Sequence, residues 1–362
     1  MLKKLAIIGT NGIPAKYGGF ETLAEQLAKD LSVYYEILVY CARTPKKLRR
    51  TFNGVRLKYL PFKANGWESI LYDAYSIIDA FFTSDILLVL GFSGAIVFPL
   101  NLVFRKRIVF NIGGIEWKKV RGSKKFAVIE IFIKKWFEHL CVKFSTVIIG
   151  DNKVICDYVT QTYHRDCILV EYGGDHAVSR PIDPALFQKF TFLSQKYDVS
   201  ISRAQEDMNI HLIIKAYAEV SNRKMVLISN WNSSEYGVNL KKEFLGKYPN
   251  IILIDAIYDK DLLNMIRSNC ELYIHSHSLC GSAPSLIEAM FLGLPILCYD
   301  VDTNRSTTEN KSLYFKDSHS LAQLLLLLSS EKLKSIAEDM KEIALRRYYW
   351  ARVTNIYRTL IG

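Results

Sequence analysis

The sequence predicts an α/β protein made of two doubly wound domains, on three observations. Short apolar runs alternate with helical patterns almost throughout. A glycine- and proline-bearing stretch, GGDHAVSRPIDP at 173–184, interrupts the alternation, and beyond it the alternation begins again. A chain of 362 residues also accommodates two domains at ~150 residues each.

In the first half, Leu5–Ile8, Ile37–Tyr40, Val55–Leu60, Ile86–Leu90, Ile108–Ile112 and Val147–Ile149 read as strands. Helical patterns lie between them near 19–32, 67–83, 95–104, 124–143 and 152–162. The runs are apolar without strict alternation, which suits parallel strands covered on both faces. The second half repeats the scheme with strands near Val199–Ser202, Val226–Ser229, Ile251–Ile254, Leu272–His275 and Pro295–Cys298. From about residue 318 the chain reads as helical to its end, and the Leu324–Leu328 run is expected to be a buried helix. The expected units are residues 1–175, residues 176–345 and a closing helix at 346–362.

Half of the residues are apolar, 23% are charged and the mean hydropathy is +0.08, which excludes a disordered or collagen-like chain. None of the seven cysteines forms a C-x-x-C pair, so a disulfide scaffold or zinc ribbon is not expected. The opening MLKKLAIIGT has too short an apolar run for a secretory signal and reads as a strand, giving the expectation of a cytoplasmic protein.

The charge is uneven. Residues 1–175 hold 25 Lys/Arg against 16 Asp/Glu, whereas residues 176–362 hold 22 against 20. Segment 105–143 alone carries 11 basic and 3 acidic side chains. Within it, WKKVRGSKKFAVIEIFIKKWF (Trp117–Phe137) mixes lysine pairs with aromatic and aliphatic residues. Such a segment suits a helix lying on an anionic membrane surface, and equally an ordinary domain helix with a solvated basic face. Nucleic acid is set aside, because no recognition motif accompanies the charge. The uncharged stretch Ile86–Phe104 approaches the length of a membrane span, but Gly91, Gly94 and Pro99 break it. It reads instead as strand, turn and buried helix.

Ligands of doubly wound sheets bind beyond the carboxyl ends of the strands. After the first strand comes GTNGIPAKYGGFE, residues 9–21. Its glycines allow a tight loop whose free amides hold an anion, or they serve only the turns; the spacing is not the dinucleotide G-x-G-x-x-G. In the second half, Arg203 follows a strand, either as a diphosphate clamp or as a surface arginine. Farther on, Gly281, Ser282, Ala283, Pro284 and Ser285 form a loop and helix start suited to a phosphate, and Glu288 lies one turn in, placed to accept ribose hydroxyls. Helix capping alone is the simpler alternative. His275-x-His277 lacks a third ligand and Asp300-x-Asp302 reads as a solvated loop, so no metal and no cofactor is expected.

GTNGIPAKYGGFE at 9–21, NIGGIEW at 111–117, EYGGDHA at 171–177 and HSHSLCGSAPSLIEAM at 275–290 together resemble retaining glycosyltransferases of family 4, in the rhamnosyltransferase-like branch of capsule, O-antigen and exopolysaccharide assembly. The resemblance covers essentially the whole chain. It implies the GT-B fold: two Rossmann-like domains, an interdomain cleft and C-terminal helices crossing back to the first domain, with Trp350 and Tyr357 packing there. It also implies that Gly12 faces donor phosphates, that Arg203 contacts the diphosphate and that Glu288 contacts the ribose. His277 and the 281–285 loop would lie along sugar and phosphates. Tyr17, Gly18, Gly19, Glu21 and Trp117 would border the acceptor side, with Glu116 the remaining acidic candidate for catalysis; a helix-dipole role is its alternative.

The chain departs from the family pattern at Cys280, where many members have a glutamate, at Met208, where a lysine is common, and at Gly113, where relatives in the branch tend to have an acid. The implied activity is metal-independent transfer of a sugar, with dTDP-rhamnose as a candidate donor, to a lipid-linked saccharide at the inner face of the cell membrane. The rival readings are a sugar-nucleotide epimerase of the same fold, a two-domain solute-binding protein and a non-catalytic partner subunit.

Overall fold

The computed structural model describes residues 2–15, 18–43, 49–118 and 127–362. The chain divides into two units. The first comprises Met1–Tyr172 and Trp350–Gly362, the second Gly173–Tyr349.

The first unit holds strands β1 (Lys3–Ile8), β2 (Tyr35–Cys41), β3 (Thr51–Phe52), β4 (Val55–Tyr59), β5 (Ile86–Leu90), β6 (Arg107–Asn111), β7 (Val147–Gly150) and β8 (Ile168–Leu169). Its helices in chain order are α1 (Gly19–Leu31), α2 (Glu68–Thr83), α3 (Asn101–Phe104), α4 (Ala127–Phe144) and α5 (Lys153–Tyr163). The strands form one sheet in the order β3-β4-β2-β1-β5-β6-β7-β8, parallel throughout except at the β3–β4 edge. Ile86–Leu90 is buried along its whole length, as a strand sandwiched between helical layers must be. The β3–β4 hairpin was not foreseen. Asn53 and Gly54 both adopt positive φ, the backbone that a two-residue turn matching the strand twist requires.

The second unit contains β9 (Asp198–Ile201), α6 (Ile210–Glu219), β10 (Met225–Ser229), α7 (Glu235–Phe244), β11 (Ile251–Asp255), α8 (Lys260–Ser268), β12 (Leu272–His275) and α9 (Pro284–Phe291). It continues with β13 (Ile296–Tyr299), α10 (Asp302–Thr307), β14 (Leu313–Phe315), α11 (Ser318–Leu327) and α12 (Ser330–Arg347). The sheet order is β11-β10-β9-β12-β13-β14, all parallel.

The closing helix, α13 (Trp350–Ile361), belongs to the first unit. Trp350 meets Tyr172 edge-on at 4.7 Å, the Tyr357 hydroxyl accepts from Asn111 Nδ2 at 2.7 Å, and Thr354 donates to Asp30 at 2.9 Å.

Two sequence expectations fail in the same way. The Leu324–Leu328 run is not a buried helix: α11 buries Leu321, Ala322 and Leu325 but turns Leu326 and Leu327 to the surface. A five-leucine run exceeds the apolar stripe that one helix face can bury. The helical part of Ile86–Phe104 is likewise not buried. After β5 the chain makes a 3-10 turn, Ala95–Leu100, and then α3, where only Ala95 and Phe98 are buried.

Candidate functional site

In each sheet the connections reverse direction once, between β1 and β5 in the first unit and between β9 and β12 in the second. The loops after those strands lie at the carboxyl ends, where open α/β sheets bind their ligands. The Gly9–Gly18 loop follows β1; the loops carrying Arg203 and His277 follow β9 and β12.

The Gly9–Gly18 loop is held by its own helix. Glu21, buried in the first turn of α1, accepts from the Asn11 amide at 2.9 Å and from Asn11 Nδ2 at 2.8 Å. The Gly12 amide donates to Thr10 Oγ1 at 2.8 Å, and the Ala15 amide donates to Glu25. Of the amides expected to be free here, those of Asn11, Gly12 and Ala15 are therefore already engaged, while no side chain caps the start of α1. Gly12 has φ +107°, and a Cβ there would lie 2.6 Å from Cys41 Sγ, so glycine is required by packing. Gly18, at the N-terminus of α1 just before Gly19, leaves room for the Glu21 carboxylate. Glu21 thus shapes the loop from within. Tyr17 and the side chain of Glu116 lie outside the described residues.

Trp117 is anchored as well. Its indole donates to the Tyr158 hydroxyl at 2.9 Å, Tyr158 and Tyr163 donate to Glu138 Oε1 at 2.6 and 2.7 Å, and Lys135 Nζ lies 4.2 Å from the indole centroid. Burial and this bond to Glu138 push the Tyr158 phenol up to about 12. Gly113 has φ +66°, and a Cβ there would come within 2.5 Å of Phe20. The ring of Phe20 occupies the space that an acidic side chain at 113 would need.

In the second unit the two loops at the switch point are laced together. Asn209 Nδ2 donates to the Ser276 carbonyl at 3.0 Å, and the Ser278 amide and hydroxyl both reach the Asp207 carbonyl, at 2.9 and 3.0 Å. Arg203, just past β9, is half-buried, and its guanidinium makes no hydrogen bond or ion pair among the described residues. His277 is buried, with its Nδ1 3.6 Å from Cys280 Sγ. The His275 ring lies against it, tilted by 46° with centroids 4.1 Å apart, and burial lowers the His275 imidazole to about 3, which keeps it neutral. Beyond Gly281 and Ser282, helix α9 starts with Ala283 as N-cap and Pro284 in the first turn, followed by Ser285. No side chain caps this end; Pro284 has no N–H and the Leu286 amide donates to the Ala283 carbonyl at 3.0 Å, which leaves the Ser285 amide to donate to a ligand.

Glu288 is more constrained than the sequence suggests. Its Oε2 accepts from the guanidinium of buried Arg267, and its Oε1 lies 3.0 Å from His176 Nε2. Burial works to raise its pKa; the Arg267 charge and the His176 contact more than offset this and hold it down to about 2. An ionised carboxylate with two partners keeps lone pairs for further donors.

His176 and Arg267 are the residues that the sequence reading missed. His176 stands in the quoted EYGGDHA motif. Arg267, in the last turn of α8, has no local signal. Asp300 is not simply solvated either: it accepts from Arg305 Nε at 2.5 Å, and Asp302 opens α10. No group of three or more His, Cys, Asp or Glu is gathered as a metal site among the described residues.

Two Rossmann-like parallel sheets, each with its loops gathered at a switch point, define this as a protein of the GT-B fold. Residues 183–347 match the family described as glycosyl transferases group 1, and residues 2–175 match a domain of unknown function, DUF1972. The chain is similar to Protein CapJ of Staphylococcus aureus, at 27% identity over 157 residues that make up 38% of this chain and 40% of CapJ; the match thus spans less than half of that relative. In structure it is similar to sucrose-phosphate synthase from Thermosynechococcus elongatus (TM-score 0.84, 15% identity, 99% of both chains). HepE of Anabaena in complex with UDP and glucose (0.72, 14%, 99% of both chains) is also similar, as is a glycosyltransferase of Rickettsia africae (0.72, 13%, 100% of this chain and 99% of that one).

Proposed function

We propose that the protein transfers a sugar from a nucleoside-diphosphate donor to a lipid-linked saccharide in cell-surface polysaccharide synthesis. The observation that carries this reading is the group at the β9/β12 switch point. An arginine unpaired among the described residues, a helix N-terminus that no side chain caps and an ionised glutamate one turn into that helix belong to one unit, inside the segment that matches glycosyl transferases group 1. That HepE was solved with UDP and glucose supports a nucleotide-sugar donor.

In this reading Arg203 and the amides of Ala283 and Ser285 hold the diphosphate, and Glu288 accepts from the ribose. As the glycosidic bond to the donor breaks, negative charge grows on the departing diphosphate. A guanidinium and oriented amides stabilise that charge without reorganising, so no metal ion or cofactor is required. The acceptor hydroxyl then attacks from the face that the diphosphate leaves, passing its proton to the departing phosphate oxygen, which retains configuration. Gly18, Gly19 and Trp117 border the acceptor, with Glu21 holding the loop from within. The basic segment 105–143 holds the enzyme against anionic lipid at the inner face of the membrane, where such acceptors reside.

Thermal shift with a panel of nucleoside diphosphates and their sugars, dTDP-rhamnose included, tests the donor site. Saturation at about 100 times Kd adds ~2.7 kcal/mol to stability. A selective response that Arg203→Ala abolishes supports the reading. A flat panel refutes it.

A further inference from the structure

The exposed face of the first unit's α4 is apolar. Val128, Ile129, Phe132, Ile133 and Trp136 are all exposed, while Phe137, Glu138, Cys141 and Val142 turn inward. Their spacing places the exposed set on one helical stripe. Farther along the same stripe come Lys135, His139 and Lys143, also exposed. The 3-10 turn Ala95–Leu100 packs against α4, and α3, which continues from it, presents Leu102 and Val103 at 68% and 78% exposure, followed by exposed Arg105. Two neighbouring elements of one unit therefore offer bulky apolar side chains to the outside, bordered by cations.

We infer that this α3–α4 surface inserts into the interfacial layer of an anionic bilayer, with Leu102, Val103 and Phe132 below the headgroups and Arg105, Lys135 and Lys143 among the phosphates. The inference rests on the membrane part of the reading above and deepens it, because it makes attachment hydrophobic as well as electrostatic. Charge selects the bilayer over a second copy: facing copies would oppose like-charged rims, whereas acidic lipid neutralises them. The contact is in-plane. Among the described residues no helix is long and apolar enough to cross a membrane, and an interfacial helix buries its apolar face ~5–10 Å deep.

The full-length protein, co-sedimented with phosphatidylcholine vesicles with and without phosphatidylglycerol at low and high salt, tests this. The wild type is expected to bind anionic vesicles and to stay partly bound at high salt. The variant Leu102→Ser/Val103→Ser/Phe132→Ser should bind more than ~10-fold more weakly and lose the salt-resistant fraction. Arg105→Gln/Lys135→Gln/Lys143→Gln should weaken binding mainly at low salt. Quenching by brominated lipid should fall in Trp136→Phe relative to the wild type. Binding that high salt abolishes completely, or quenching that Trp136→Phe leaves unchanged, overturns insertion; so does a dimer in light scattering that the serine variant dissociates. The nucleotide thermal shift, measured on each variant, reports folding and the donor site separately, so failure here is distinguishable from failure of the sugar-transfer reading.

Discussion

Replacing Glu288 with glutamine tests both its electrostatics and its proposed role. The carboxylate sits between Arg267, only 2% exposed, and His176. Its pKa of about 2, against an ordinary 4.5, corresponds to about 3 kcal/mol of stability near neutral pH at ~1.4 kcal/mol per unit. Because the folded pKa is depressed, this contribution is complete above the unfolded value and is lost as pH falls toward 2. Glu288→Gln leaves the Arg267 guanidinium buried without a counter-charge and should cost about 3 kcal/mol. For the second unit that is a fall in Tm of roughly 6–12 °C. Urea unfolding of wild type and variant at a series of pH values separates this from a generic packing loss. From about pH 5.5 to about pH 4 the wild type should lose about 0.8 kcal/mol more than the variant, the share due to this one carboxyl. Parallel pH profiles, or a loss under ~1 kcal/mol at neutral pH, would refute the ion-pair reasoning.

Arg203→Ala should leave urea stability within ~0.5 kcal/mol of wild type, since the guanidinium has no partner among the described residues, while weakening nucleotide binding in the thermal-shift assay. Gly113→Ala should cost about 1–3 kcal/mol in chemical denaturation, from positive φ and the clash with Phe20; a companion Phe20→Ala should relieve the steric part and leave the backbone part. Asp198, 1% exposed, accepts from Tyr217 at 2.6 Å and from Arg223 Nε and Nη2 at 2.8 and 2.7 Å. Asp198→Asn should destabilise the second unit by about 3–5 kcal/mol, read as an earlier urea midpoint.

The sequence by itself determined the architecture. Bounded apolar runs without alternation specify parallel strands covered on both faces, and helical periodicity between them specifies the crossovers; both signals are local. It also determined where to look, because glycine-rich loops and Pro284 mark strand and helix ends through backbone requirements that each residue carries alone. The Asn53–Gly54 pair carries a two-residue hairpin signal of the same local kind, although the hairpin it closes was not foreseen.

Only the tertiary structure decided what those positions do. Glu288 meets Arg267 and His176 across 21 and 112 residues of chain, and no local pattern encodes such a meeting. The amides at Asn11, Gly12 and Ala15 have the glycine-loop signature of an anion site, yet Glu21, Thr10 and Glu25 already satisfy them. Periodicity likewise separates the faces of α4 but does not say which face meets the core. That depends on which neighbours leave a surface uncovered, a property of the assembled sheet and helices and not of any one segment.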